Sequence, residues 1–297
     1  MKIHRLLAAI GTSIVILLNA GHALAASFTP VLDEFWIVKD SIEIFRDSFS
    51  DTLLPPSGPD DGVVNPTTYS VFGASGFTSE TSGKLTMTPL LGDPVLITTT
   101  YADYSTNATR MLATNDNNAN FLGYNSSFEI HGLYDMTSIP TITGQSFGIR
   151  ASDRAPVIGN EGNNTFGLFV GVNSATGKVV VALREFDFST NTSTVFDSVS
   201  IDSYLSQADQ IELILAKNKE SNALTASFSI FDSSGLTLYG GSLAVTSALI
   251  IYDGEDFIRG EFLATDRTSA PVPEPTTILI FGTGLAGLAV VGRKKRS

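Results

Sequence analysis

Leu224-Thr225-Ala226-Ser227-Phe228-Ser229-Ile230-Phe231 decides the fold. Leu224, Ala226, Phe228 and Ile230 alternate with Thr225, Ser227 and Ser229, a period of two that puts the apolar side chains on one face of an extended strand. The pattern recurs outward from this stretch. Ile211, Leu213 and Leu215 share one face with Glu212 on the other, and Val179, Val181 and Leu183 point one way while Arg184 points the other. Phe166, Leu168, Val170 and Val172 alternate with glycines and Phe169. Turn clusters such as Asn173-Ser174-Ala175-Thr176-Gly177 and Asp232-Ser233-Ser234-Gly235 separate the runs. Val31 to Asp47 comes nearest to a helix. Its aromatic and β-branched segments, Glu34 to Lys39 and Ile42 to Arg46, instead predict two strands joined near Asp40-Ser41. Roughly thirteen or fourteen short strands without an internal repeat predict an all-β fold, a large antiparallel β-sandwich, with a propeller or solenoid as second choice.

The 297 residues contain no cysteine, which excludes a disulfide framework, a thiolate metal site and a cysteine nucleophile. Eighteen basic against thirty acidic side chains give a net charge of −12, unsuited to a nucleic-acid partner because phosphate neutralisation needs basic clusters. The charge is also unevenly spread. Between Ala26 and Val272 lie 12 basic and 29 acidic residues, a net of −17, since two cations precede this region and four follow it. Such a surface repels itself and other anions.

The N-terminus reads as a signal peptide. Lys2 and Arg5 precede the apolar run Leu6 to Leu18, which as a helix is about 20 Å long and too short to span a ~30 Å hydrocarbon core. Ala23-Leu24-Ala25 supplies the small-x-small pattern that signal peptidase accepts, with cleavage expected after Ala25. At the other end, Pro271-Val272-Pro273-Glu274-Pro275 cannot be helical. Thr276 to Gly292 is uncharged and about 26 Å long as a helix, enough for a thin or locally adapting bilayer. Arg293-Lys294-Lys295-Arg296 would stay cytoplasmic by the positive-inside rule, leaving the body outside. Gly282, Gly284 and Gly287 would let a second membrane helix approach closely. The expected organisation is thus a signal peptide (1–25), a β-sandwich domain (26–264), a linker with Pro-Glu-Pro (265–275), a single transmembrane helix (276–292) and a basic cytoplasmic tail (293–297).

Pro273-Glu274-Pro275, the short glycine-containing apolar segment with Gly287-Leu288-Ala289, and the terminal basic cluster together resemble the PEP-CTERM sorting signal. The resemblance covers about the last 26 residues, with all three parts in order. It implies recognition by an exosortase, a membrane protease-transpeptidase acting near Pro273-Glu274-Pro275. It further implies export from a Gram-negative bacterium, transient anchoring in the inner membrane, then transfer to the envelope, surface or medium. Such systems often accompany exopolysaccharide production.

The body has its own resemblance. Ile44-Phe45-Arg46-Asp47-Ser48-Phe49-Ser50-Asp51, a proline-rich loop, Tyr69-Ser70-Val71-Phe72-Gly73 and Gly83-Lys84-Leu85-Thr86-Met87 resemble the opening of concanavalin A-like lectin/glucanase (jelly-roll) domains. Ser127 to Ile130, Ser146 to Arg150 and Phe166 to Val172 fit later strands of that sandwich. Glycosidases of that fold place Glu-x-Asp-x-x-Glu or Glu-x-Asp-x-Glu on one strand. Glu185-Phe186-Asp187-Phe188-Ser189-Thr190 puts two carboxylates on one face but has Ser189 and Thr190 where the third belongs. Glu129 and Asp135 do not complete the set, and a solvated acidic face is the plainer reading.

No catalytic residue and no metal ligand is assigned. Asp116-Asn117-Asn118-Ala119-Asn120 begins like a calcium loop, but Phe121 and Ser127 stand where an EF-hand needs Gly and Glu. With Asp60-Asp61 and Asp253-Gly254-Glu255-Asp256 it leaves a structural calcium open; no other cofactor is implied. His131, the one histidine between Ala26 and Val272, does not by itself make a serine hydrolase. Tyr101, Tyr104, Tyr124 and Tyr134 lie among Asn and Thr residues and are candidate sugar-stacking rings, or ordinary strand tyrosines. The expected function is an exported, exosortase-sorted surface or matrix protein with a non-enzymatic, polysaccharide-interacting body. The alternatives are a secreted glycan hydrolase and a permanently anchored protein. The expected partners are signal peptidase, exosortase and extracellular polysaccharide.

Overall fold

A computed structural model describes residues 28–50, 67–72, 78–89, 108–115, 122, 125–152, 164–187, 192–219, 224–244 and 259–266. Its strands begin with β1 (Val31–Lys39), β2 (Ile42–Asp47), β3 (Thr67–Phe72), β4 (Thr78–Glu80) and β5 (Leu85–Met87). Next come β6 (Ala108–Asn115), β7 (Phe128–Asp135), β8 (Gln145–Ser152), β9 (Asn164–Val172) and β10 (Val179–Asp187). The last are β11 (Thr192–Ser200), β12 (Gln210–Lys217), β13 (Leu224–Phe231), β14 (Thr237–Ala244) and β15 (Arg259–Asp266). The eight-stranded sheet runs β14-β13-β12-β7-β1-β5-β4, with β2 also paired to β1. The seven-stranded sheet runs β11-β10-β9-β8-β15-β6-β3. The pairings are antiparallel, as the alternating patterns predict. The signal peptide, the 276–292 helix and the basic tail lie outside the described residues.

Alternation is visible directly in burial. Leu224, Ala226, Phe228 and Ile230 of β13 are buried between more exposed Thr225, Ser227 and Ser229. Ile211, Leu213 and Leu215 of β12 are buried on the same side, paired with Ile230, Phe228 and Ala226. Each such side chain taken from water contributes roughly 1.5–3 kcal/mol. The two sheets meet through aromatic contacts, with Tyr134 against Phe147 at 4.7 Å and Phe35 against Phe262 at 4.9 Å. The β1–β2 hairpin turns where expected. Asp40 and Ser41 adopt φ of 47° and 67°, matching the primed two-residue turn that suits strand twist. Three-residue β4 is too short to register as alternation in sequence.

One ion-pair cluster ties β1, β7 and the turn before β5. Lys84 Nζ lies 2.7 Å from Asp135 Oδ2 and 3.3 Å from Asp33 Oδ1, while Gln210 Nε2 donates to Asp33 Oδ2 at 2.6 Å. The Asp135 hydrogen bond holds the Lys84 amine above its ordinary 10.5, against desolvation and with help from the Asp33 charge. Burial pushes the Asp135 carboxyl up, but the bonds from Lys84 and Thr137 outweigh it and hold the group below 3.8. A depressed carboxyl stabilises the fold above its unfolded value and loses that contribution as pH falls. A raised amine stabilises it below its unfolded value and loses that contribution as pH rises. Lys84→Met should therefore cost about 1 kcal/mol, discounted for the half-exposed amine. In urea melts the deficit should be constant between pH 3.8 and 10.5 and shrink beyond either limit.

Candidate functional site

The outer face of the seven-stranded sheet carries the site. Phe147, Ile149, Leu168, Val170, Val181 and Leu183 turn into the core, so alternation presents their neighbours outward. Register sets Gly148 opposite both Leu263 and Phe169, and Phe169 opposite Ala182. It likewise sets Arg150 opposite Glu261 and Gly167, and Gly167 opposite Arg184. A cavity of about 430 Å³ lies over this face, reaching from Gln145 and Asn173 at one rim to Thr165 and Glu185 at the other end.

Phe169 forms its floor. A Cβ on Gly167 would sit 2.4 Å from two carbons of the Phe169 ring and 2.8 Å from Arg150 Cβ, so only glycine lets the ring lie there. Arg184 Nη2 comes within 3.7 Å of a Cβ built on Gly171, bringing the guanidinium over the same floor. Beside it, Arg150 and Glu261 form an ion pair at 3% and 1% side-chain exposure. Polar groups line the rim: the Ser146 and Thr265 hydroxyls are 2.8 Å apart, and Gln145 Nε2 donates to the buried Asp266 Oδ2 at 3.0 Å. An apolar ring edged by hydroxyl, amide and guanidinium groups suits a polyhydroxylated ligand.

The sequence-derived candidates fall differently. Tyr134 is in the core at 0% exposure, its ring on Phe147 and its hydroxyl donating to Gly148 O at 2.6 Å; burial raises its pKa well above the ordinary 10.0. No face of that ring is open to a ligand. Tyr101, Tyr104, Tyr124, the acidic turns, Ala23, Ala25, Pro273 to Pro275 and Arg293 to Arg296 lie outside the described residues. Glu185 lines the cavity, whereas Asp135 is engaged by Lys84 and Glu129 by His131. Among the described residues no group of three or more His, Asp or Glu side chains is arranged to hold a metal ion.

Two features were not anticipated. Phe169 was legible only as a residue alternating with core positions, although Gly167 and Gly171 on either side are the signal of a ring laid flat on a sheet. Trp36, the one tryptophan of the chain, is half-buried, with its ring engaged by its neighbours. Arg46 Cζ stands 4.7 Å from its centroid and the His131 ring stacks on it at 4.5 Å, from the strands on either side of β1. His131 itself is held by Glu129 at 3.0 Å and Glu212 at 3.1 Å.

Beyond β15 the chain reaches its second functional feature, because residues 271–296 match the PEP-CTERM protein-sorting motif. The chain carries a PEP-CTERM sorting signal. That signal implies export and exosortase sorting to the cell surface or the extracellular space. It begins five residues after Asp266, the end of β15. No curated protein matches the PEP-CTERM chain. Among solved structures it is similar to the CBM2 module of the evolved Dit of Lactobacillus casei BL23 phage J-1, at 10% identity and a TM-score of 0.42. That likeness covers 80% of this chain and 91% of the module. It is also similar to an endo-1,3-β-glucanase from Streptomyces sioyaensis, at 12% identity and a TM-score of 0.35, over 78% of this chain and 85% of the other. Both scores fall below 0.5, and the architecture rests on the strand pairings of this chain.

Proposed function

We propose that this PEP-CTERM protein is anchored transiently through residues 276–292, clipped near Pro273-Glu274-Pro275, and delivered outside the cell as a polysaccharide-binding surface or matrix component. The observation that carries the binding role is the outer-face cavity, with Phe169 on a glycine floor among Arg184, Gln145, Asn173, Ser146 and Thr265. The net charge of −17 favours neutral over anionic glycans. A non-enzymatic role is supported by the lining: Glu185 is the single carboxylate among the described lining residues, and retaining cleavage takes two about 5 Å apart. A hydrolase remains the second reading because Glu185 reaches the cavity and Asp187 follows two residues on.

The test incubates the protein with a panel of β-glucans and bacterial exopolysaccharides. Retention on at least one glycan without release of reducing ends is the expected result, with Phe169→Ala weakening it about tenfold. Released reducing ends would establish the hydrolase instead. Mass spectrometry of the cell-derived protein should find Arg293 to Arg296 removed; their persistence would mean permanent anchoring.

A further inference from the structure

Val38, Glu129, Ala216 and Thr225 form one register row across β1, β7, β12 and β13. Their chain neighbours Ile37, Phe128, Leu215 and Leu224 are buried in the core, so alternation turns the row outward. The four residues line a pocket of about 430 Å³ at the end of the eight-stranded sheet where β1 turns into β2. The Phe169 cavity lies over the outer face of the other sheet, so the two open on opposite sides of the sandwich.

Hydrogen bonds fix the wall of this pocket. Asp40 N donates to Ser127 O at 2.9 Å and Asp40 Oδ1 accepts from Ser127 N at 3.0 Å, tying the β1–β2 turn to the start of β7. Lys219 N donates to Ser127 Oγ at 3.0 Å, and the buried Lys217 amine donates to Ser126 O at 3.3 Å. Glu129 Oε2 lies 3.0 Å from Nε2 of His131, whose ring stacks on Trp36. The floor is low because Val38, Ala216 and Thr225 are small. Asp40 and Glu129 are matched in number by Lys217 and Lys219, so the lining has no formal net charge and favours neither a cation nor an anion. Carboxylate, ammonium, hydroxyl and the Asn218 amide supply donors and acceptors side by side, which suits a neutral polyhydroxylated ligand.

We infer that this pocket is a second glycan site, so that one molecule holds two polysaccharide chains back to back and cross-links them. This rests on the glycan-binding reading of the Phe169 cavity. Sites on opposite faces cannot both engage one straight stretch of polymer, so the protein joins separate stretches.

The experiment titrates the full chain in detergent micelles with laminarihexaose and cellohexaose, then mixes it with the parent β-glucans. Wild type should take two hexasaccharides per chain. Phe169→Ala should take one. Ala216→Arg should also take one, because a long side chain on the solvent face, beside Glu129, fills the low floor. With the polymers, wild type should form sedimenting cross-linked glucan, and each variant should sediment about tenfold less while still binding. One hexasaccharide per wild-type chain, lost in Phe169→Ala, overturns the second site and leaves the cavity's function standing. Two per chain in Ala216→Arg overturns the placement of the second site in this pocket. One per wild-type chain, lost only in Ala216→Arg, overturns the Phe169 reading and the cross-link with it. No binding of either hexasaccharide or either polymer to wild type overturns both.

Discussion

Replacing Arg150 with methionine is expected to lower the stability of the body by about 3–5 kcal/mol, because it removes the guanidinium that faces the buried Glu261 carboxylate. The pair sits at 3% and 1% side-chain exposure, across the β8–β15 pairing. The loss should appear as a shift of the urea midpoint with an unchanged slope. The double variant R150M/E261L should recover most of it, because an apolar pair of similar size needs no compensating charge. A single variant as stable as the wild type would mean that Glu261 is not closed off from solvent. Arg150 also borders the cavity, so the double variant separates stability from binding: it should fold and still retain glycan through Phe169 and Arg184.

Gly148→Ala should be the most damaging single methyl in the described body. A Cβ there would stand 2.1 Å from the Leu168 carbonyl oxygen and 2.9 Å from Phe169 Cα, both backbone atoms of β9 that no side-chain rotation can move. The β8–β9 pairing would have to separate locally, at about 3 kcal/mol or more. The carbonyl of Gly148 itself accepts the Tyr134 hydroxyl, so the disturbance passes into the other sheet. Gly171→Ala on the neighbouring strand is the control. Its nearest atom is 3.4 Å away, and it should stay within about 1 kcal/mol of wild type. Thermal melts of the two variants side by side check the contrast, and similar melting temperatures would contradict the steric account.

The eight-stranded sheet was the more legible half. Its β12 and β13 have one face in the core and one toward solvent, so polarity alternates with the pleat and the face can be assigned by inspection. The β1–β2 turn was legible too, as Asp40-Ser41 interrupts two strongly β-forming runs. On β10 the reading falls short. Val179 to Leu183 are all buried, because the outward residues Val180 and Ala182 belong to the covered face beside the cavity. Continuous apolarity conceals which side faces a ligand.

From the amino acids alone come the all-β class, the acidic cysteine-free surface and the tripartite sorting signal. These are properties of local periodicity, composition and contiguous spacing, which survive without any long-range contact. The tertiary structure alone decided that Phe169, Arg184, Gln145 and Thr265 share a cavity and that Tyr134 is buried in the core. Those facts depend on β15 pairing with β8, a contact 111 residues apart at Arg150 and Glu261. No local pattern encodes such a register, because it is selected by the packing of both sheets at once.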